Sequence, residues 1–219
     1  NDKGIIGIDL GGTNIRGALV VNNALQEIHS KRVNSQGTVE EVVEELFSLT
    51  DELINSGVTS IGIGVPGLVN VEEGLVYYVV YIPSWKEVPL QKRMEDRYHI
   101  PVYINNDANC FALGEYYFGK GKGSNSLIGL TLGTGLGAGI IINKKLYEGK
   151  NDGAGEFGMP DYLEHSYEYY ASGQFFQNVY NISGEIFFEN AKSGDPGALQ
   201  MYEVLGHNIG NAIKMMLYA

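Results

Sequence analysis

Residues 6–19 read IGIDLGGTNIRGAL. An apolar, β-branched run ends on Asp9, two adjacent glycines and two small polar residues follow, and a second strand-like run begins at Arg16. The order is strand, glycine turn, strand. Adjacent glycines let backbone N–H groups approach an anion closely. Thr13 and Asn14 add side-chain donors, and the Asp9 carboxylate suits a hydrated Mg2+. An ordinary hairpin turn accounts for the same residues, so phosphate binding here needs a second, independent sign.

Outward from this stretch, residues 4–9, 16–21 and 25–33 read as strands, the last two joined by a tight turn at Asn22-Asn23. Thr38 is placed to cap a helix, and Glu41 three residues later completes a capping box. Val39, Val42, Val43, Leu46, Leu49 and Leu53 keep helical spacing up to Gly57, which reads as the stop. Strands are expected at 60–65, 74–80 and 102–104, and helices at 90–98 and 108–118. Residues 120–124 (KGKGS) read as a linker.

Beyond it the plan repeats. Residues 127–132 and 138–142 are strands around Gly133-Thr134-Gly135. The following residues satisfy G-x-G-x-x-A, but that fingerprint must open a helix, and Ile140-Ile141-Ile142 is strand-like. The stretch is therefore a counterpart of the first glycine turn, and two such loops suit a polyphosphate. Residues 114–120 spell G-x-x-x-x-G-K, yet Gly121 stands where Ser or Thr is required, so this is no Walker A loop. Helices are expected at 169–180 and 184–191. Asp195-Pro196 should cap a last helix with Leu199, Tyr202, Leu205, Ile209, Ile213 and Met216 on one face.

Composition narrows the function. The 219 residues suit one domain or two small lobes, with enough chain for a real core. Fifteen Lys and Arg against 26 Asp and Glu give a net charge of −11, which disfavours a nucleic-acid surface. The apolar runs are too short to span a membrane. One cysteine cannot form an internal disulfide, which fits a reducing cytoplasm. Thirty glycines are about twice the ordinary usage, and they cluster in the loops just described. His29, His99, His165 and His207 are scattered without zinc-ligand spacing, and no G-x-S-x-G is present.

The polar residues gather at element ends. Asn106 and Asp107 follow a strand and open a helix, Glu156 lies in Gly155-Glu156-Phe157-Gly158, and Glu168 precedes the helix at Tyr169. Three carboxylates and an amide in such positions suit a polyhydroxylated ligand, whose hydroxyls donate to them.

Five stretches carry a resemblance to a known family: residues 6–19 (IGIDLGGTNIRGAL), 61–69 (IGIGVPGLV), 101–115 (PVYINNDANCFALGE), 130–149 (LTLGTGLGAGIIINKKLYEG) and 153–158 (GAGEFG). In order and spacing the chain resembles the ROK family of sugar kinases and related repressors. The resemblance implies an α/β fold of the two-lobed actin-like ATPase (RNase H-like) type, with mixed sheets flanked by helices. The lobes are expected at 1–118, carrying the first phosphate loop and catalytic aspartate, and 119–219, carrying the second phosphate loop and sugar-contacting glutamates. They are expected to close on a hexose about residues 120–124.

Residue by residue, the resemblance implies that Asp107 is the general base, and that Gly67, Asn106, Asp107, Glu156 and Glu168 bind the sugar. Gly11, Gly12, Thr13 and Asn14 match the first ATP phosphate loop, and Gly133, Thr134 and Gly135 the second. Asp9 is the expected Mg2+ residue, directly or through water. Many relatives carry zinc; here Met159 stands at the histidine position, the cysteines are missing and the loop at 160–166 is short, so no zinc site is expected. Tyr81 stands where an asparagine is common. Relatives also continue into a glycine-rich adenosine-binding turn, so the sequence is expected to be a truncated form.

The implied activity is ATP-dependent phosphorylation of a hexose hydroxyl, glucokinase-like, in the cytoplasm, with ATP, Mg2+ and a hexose as partners. N-acetylhexosamine kinase and fructokinase activities stay open, as does a homodimer. The alternative is a sugar-responsive transcriptional repressor without its DNA-binding domain. Only Asn1-Asp2-Lys3 precede the first strand, and this with the acidic charge speaks against the repressor.

Overall fold

Strand β1 (Gly4–Leu10) buries every second residue along its length, so only one face of it enters the core. In the computed structural model, residues 3–150 and 153–218 are described. Asn1, Asp2 and Ala219, on which the reading of the chain ends rests, lie outside the described residues. β2 (Asn14–Val21) runs antiparallel to β1, and β3 (Ala24–Arg32) antiparallel to β2. Asn22 and Asn23 both take left-handed φ, 52° and 60°, as a two-residue hairpin turn requires.

Helix α1 (Val39–Leu53) begins with the expected capping box. Thr38 Oγ1 accepts from Glu41 N at 3.2 Å, and Glu41 Oε2 accepts from Thr38 N at 2.7 Å. Its apolar stripe, including Val42, Leu46, Leu49 and Leu53, is buried against the sheet. The helix stops at Leu53 and not at Gly57: Ile54 is already extended, and Gly57 N donates to the Asn55 side chain.

β4 (Val58–Val65) then runs parallel to β1. A separate antiparallel sheet follows, from β5 (Gly67–Asn70), β6 (Leu75–Val79) and β7 (Ile82–Val88). Only β6 is anticipated by the sequence. β5 is short, and Pro83 and irregular alternation disguise β7. Helix α2 (Leu90–Tyr98) leads into β8 (Val102–Asn106), parallel to β4. The main sheet has the order β3-β2-β1-β4-β8.

β8 passes directly into α3 (Asp107–Tyr117). β9 (Leu127–Leu132) and β10 (Leu136–Ile142) form an antiparallel pair, extended by β11 (Lys145–Leu146). A small hairpin of β12 (Asp161–Tyr162) and β13 (His165–Ser166) precedes the helices α4 (Tyr167–Tyr170), α5 (Phe175–Tyr180), α6 (Gly184–Lys192) and α7 (Pro196–Met216).

Two expectations change here. The single helix at 169–180 is two helices, α4 and α5. Gly173 N donates to Gly133 O at 2.7 Å, taking an N–H that a continuous helix would need internally. On α7 the Asp195 cap holds, with Asp195 Oδ1 accepting from Ala198 N at 2.7 Å. The buried positions, however, are Ala198, Asn208, Ala212 and Met216, while Leu199 and Ile213 are exposed. Small residues allow close approach on that face, and Asn208 is fixed there by hydrogen bonds.

Two compact units can be described in the chain, Asn1–Cys110 with Gly149–Asp152 and Phe111–Glu148 with Gly153–Ala219. The division falls inside α3 because Cys110 packs beside Gly64 of β4, whereas Phe111 and Ala112 pack beside Gly129 of β9.

The capping box gives the first prediction. Thr38→Ala should lower stability by about 0.5–2 kcal/mol, read as a lower urea midpoint at unchanged m. An unchanged midpoint would show that the cap contributes nothing to α1.

Candidate active site

Three parallel strands of the first unit end in step. Asp9 of β1 pairs with Gly64 of β4, and Gly64 with Asn105 of β8. The chain leaves β1 through Gly11-Gly12-Thr13 and leaves β8 straight into α3, so both polar clusters lie beyond the carboxyl ends of these strands. That is where ligands bind on open parallel sheets.

Asn106 caps α3. Its Oδ1 accepts from Ala108 N at 2.9 Å and Asn109 N at 3.2 Å, and its Nδ2 donates to Gly67 O at 3.1 Å. Asp107 Oδ1 accepts from Ala108 N at 2.8 Å. Protein atoms crowd Asp107 from behind while its front keeps contact with water. Loss of solvation pushes its carboxyl above the usual aspartate value of 3.8; the Ala108 N–H opposes this and the negative charge of Asp9 adds to it. Water at the open side limits the shift. The same surroundings push the Cys110 thiol up to about 11, mainly through burial, then through Asp107 and Asp9. Cys110 is therefore an uncharged packing residue.

The first glycine loop is closed at its base by Gly11 N donating to Asn14 O and Val33 N to Thr13 O, both at 2.9 Å. The N–H groups of Gly12 and Thr13 make no hydrogen bond to another described residue. Tyr81 covers this loop: a Cβ at residue 12 would lie 2.5 Å from Tyr81 Cβ, so only glycine fits beneath it. Tyr81 is thus a neighbour of the glycine loop, a role the sequence does not announce.

The second unit holds a similar loop. Gly133 N donates to Gly135 O at 3.0 Å, and Leu136 N donates to Glu168 Oε2 at 2.9 Å. The N–H groups of Thr134 and Gly135 have no partner among the described residues. Consecutive unpaired N–H groups on a turn are the backbone feature from which anion-binding concavities are built, and each unit has one such pair. Glu156 sits exposed in the turn at 153–158, where Met159 N donates to Glu156 O at 3.1 Å. Glu168 stands in the first turn of α4, its backbone N donating to Gly158 O at 2.9 Å.

Of the expected site residues, Asp9, Gly11, Gly12, Thr13, Asn14, Gly67, Asn106 and Asp107 belong to the first unit. Gly133, Thr134, Gly135, Glu156 and Glu168 belong to the second. Residues 160–166 form the β12–β13 hairpin, with Tyr162 stacked on Tyr167 at 4.3 Å and His165 on Tyr169 at 3.9 Å. Among the described residues, no three His, Cys, Asp or Glu side chains gather as a metal site. Sequence reasoning misses the clamp on this hairpin: Asn211 Nδ2 donates to Tyr162 Oη at 2.9 Å, and Tyr162 Oη donates to Asn208 Oδ1 at 3.1 Å. Asn208 and Asn211, three residues apart and so on one face of α7, are the signal that points to it.

This arrangement of strands and helices is that of the actin-like ATPase fold. The ROK family sequence model matches residues 5–218, and the chain belongs to the ROK family. A glucokinase of Streptomyces coelicolor is 39% identical over 180 residues, covering 77% of this chain and 56% of the relative. The xylose repressor of Caldicellulosiruptor bescii is 37% identical over 163 residues, 70% of this chain and 40% of the relative. The crystal structure of a ROK family glucokinase from Streptomyces griseus, in complex with glucose and AMPPNP, superposes with a TM-score of 0.83 at 29% identity, covering 97% of this chain and 78% of that one. The chain thus spans about half the length of these curated relatives. No described helix is long and apolar enough to cross a membrane.

The raised pKa of Asp107 has a consequence for stability. The unfolded chain releases this proton at lower pH than the folded one, so the folded state binds more protons in between and loses stability as pH rises through that window. Asp107→Asn should therefore raise the melting temperature at pH 7, and the gain should vanish below about pH 4. A variant equally stable or less stable at pH 7 would contradict the crowding of this carboxylate.

Proposed function

We propose that the chain carries the catalytic machinery of an ATP-dependent hexose kinase, glucokinase-like, with Asp107 as general base. The observation that carries this reading is the placing of Asp9 with the first glycine loop and of Asp107 at the carboxyl ends of β1 and β8, two strands of one sheet with β4 between them. Phosphoryl transfer is mostly positioning and charge neutralisation, with a carboxylate accepting the proton of the attacking hydroxyl. Such general-base assistance is typically worth about 10²–10⁴-fold.

In this reading Gly12-Thr13 and Thr134-Gly135 supply backbone N–H groups to the ATP phosphates, aided by Gly11, Asn14 and Gly133. Gly67, Asn106, Glu156 and Glu168 hold the sugar hydroxyls. The capped, hydrogen-bonded Asn106 fixes the start of α3 and with it the position of Asp107. Carboxylate oxygens are the donors Mg2+ takes, and the repulsion between Asp9 and Asp107 suits a cation near Asp9, held directly or through water. The ion neutralises phosphate charge when bound. In this reading the enzyme works without zinc, because Met159 and not a histidine follows Glu156-Phe157-Gly158 and the 160–166 loop has no cysteine. We place the protein in the cytoplasm, with no nucleic-acid partner, and a homodimer is compatible with the reading.

A repressor-like, sugar-sensing role is the second reading, favoured by the likeness to the xylose repressor. Both classes bind sugar, but only the kinase turns over ATP. A coupled ADP-release assay across glucose, mannose, fructose, N-acetylglucosamine and N-acetylmannosamine tests this. Sugar-dependent ADP release that EDTA abolishes is expected. In Asp107→Asn, turnover should fall by about 10²-fold or more while sugar binding by calorimetry persists. Near-wild-type kcat in this variant would remove Asp107 as the base, and sugar binding without ADP release from the wild type would favour the sensor.

A further inference from the structure

Glu168 is tied into the second glycine loop. One of its oxygens, Oε2, accepts from Leu136 N at 2.9 Å, and Leu136 is the residue at which the second glycine loop rejoins β10. A Cβ at Gly135 would lie 2.5 Å from the same oxygen, so the carboxylate lies directly against the loop backbone. The loop is otherwise tied at Gly133, whose O accepts from Gly173 N at 2.7 Å and whose N donates to Gly135 O at 3.0 Å. The Glu168 contact is thus the tie on the C-terminal side of Thr134-Gly135, and the one made by a charged group. A hydrogen bond to a charged acceptor is roughly twice as strong as a neutral one. Glu168 itself is held from behind. Its N donates to Gly158 O, and neighbouring Tyr167 stacks on Tyr162, which is clamped to α7.

We propose that Glu168 is a positioning residue for the second glycine loop, aiming the Thr134 and Gly135 N–H groups at the nucleotide phosphates. The inference deepens the kinase reading and rests on it. A carboxylate with one oxygen engaged by Leu136 N leaves Oε1 to receive a sugar hydroxyl. The group that senses the sugar is then also the group that shapes the phosphate loop.

Two substitutions separate the roles. Glu168→Gln keeps the length and a carbonyl acceptor for Leu136 N but loses the charge. Glu168→Asp keeps the charge but withdraws it by one methylene, out of reach of Leu136 N. The Kd of the chain for Mg-AMPPNP, read by calorimetry without sugar, should rise by about 10- to 100-fold in Glu168→Asp, the cost of losing a charge-assisted hydrogen bond. It should rise by only about 3- to 10-fold in Glu168→Gln, where a neutral bond of about half the strength remains. In kinetic assays the KM for sugar should rise in both variants, and the KM for ATP chiefly in Glu168→Asp. Nucleotide Kd unchanged in both variants overturns the inference while leaving the kinase reading intact. Equal loss in both overturns it too, since the acceptor geometry would then be irrelevant. The nucleotide measurement needs no turnover, so failure of sugar phosphorylation in the wild type is a separate result. Matching near-ultraviolet circular dichroism establishes that each variant is folded.

Discussion

The first unit depends on the register of β1, β4 and β8. Because these parallel strands end level with one another, residues distant in sequence arrive at one sheet edge: Asp9, Gly64 and Asn105 are cross-strand neighbours. Parallel pairing is bought by nothing local. It needs the crossover helices α1 and α2, whose apolar residues Leu46, Leu49, Leu90 and Met94 are fully buried. A slip of one residue would turn Ile6, Ile8 and Leu10 out of the core and Asp9 into it, so hydrophobic alternation and site geometry are enforced by the same pattern.

The second unit solves a similar problem with close backbone approach. Here the glycine loop is held by segments that come later in the chain: Gly173 N at the break between α4 and α5, and the Glu168 carboxylate in α4. The helix break is therefore a consequence of the loop. The carbonyl of Gly133 needs a donor, and the interrupted helix provides it. Aromatic stacking at Tyr162, His165, Tyr167 and Tyr169 orders the hairpin that leads into α4.

The elements legible in the sequence were those with local causes. The capping box at Thr38, the paired asparagine turn and the Asp195 cap follow from short-range chemistry, and the structure contains all three. What could not be read was decided by distant partners. Nothing near Tyr169 announces that Gly173 will bond to Gly133, and nothing in the spacing of α7 says that Ala212 and not Ile213 faces inward. The two glycine stretches were legible as turns joining strands, and the structure places them between β1 and β2 and between β9 and β10. The tie between Glu168 and Leu136 was not legible, because it joins residues 32 apart.

The cap on α3 also fixes the hydrogen-bond polarity of Asn106. Its carbonyl oxygen is engaged by Ala108 and Asn109, and one of its amide protons is aimed at Gly67 O. A ligand atom meeting this side chain therefore meets a donor, and must answer with a lone pair. In the proposed reading, a sugar hydroxyl oriented that way has its own proton turned elsewhere, and Asp107 is the adjacent residue with a carboxylate to take it. Fluorine in place of such a hydroxyl keeps the lone pairs and lacks the proton. On that reading a fluorinated sugar would separate recognition at Asn106 from deprotonation at Asp107.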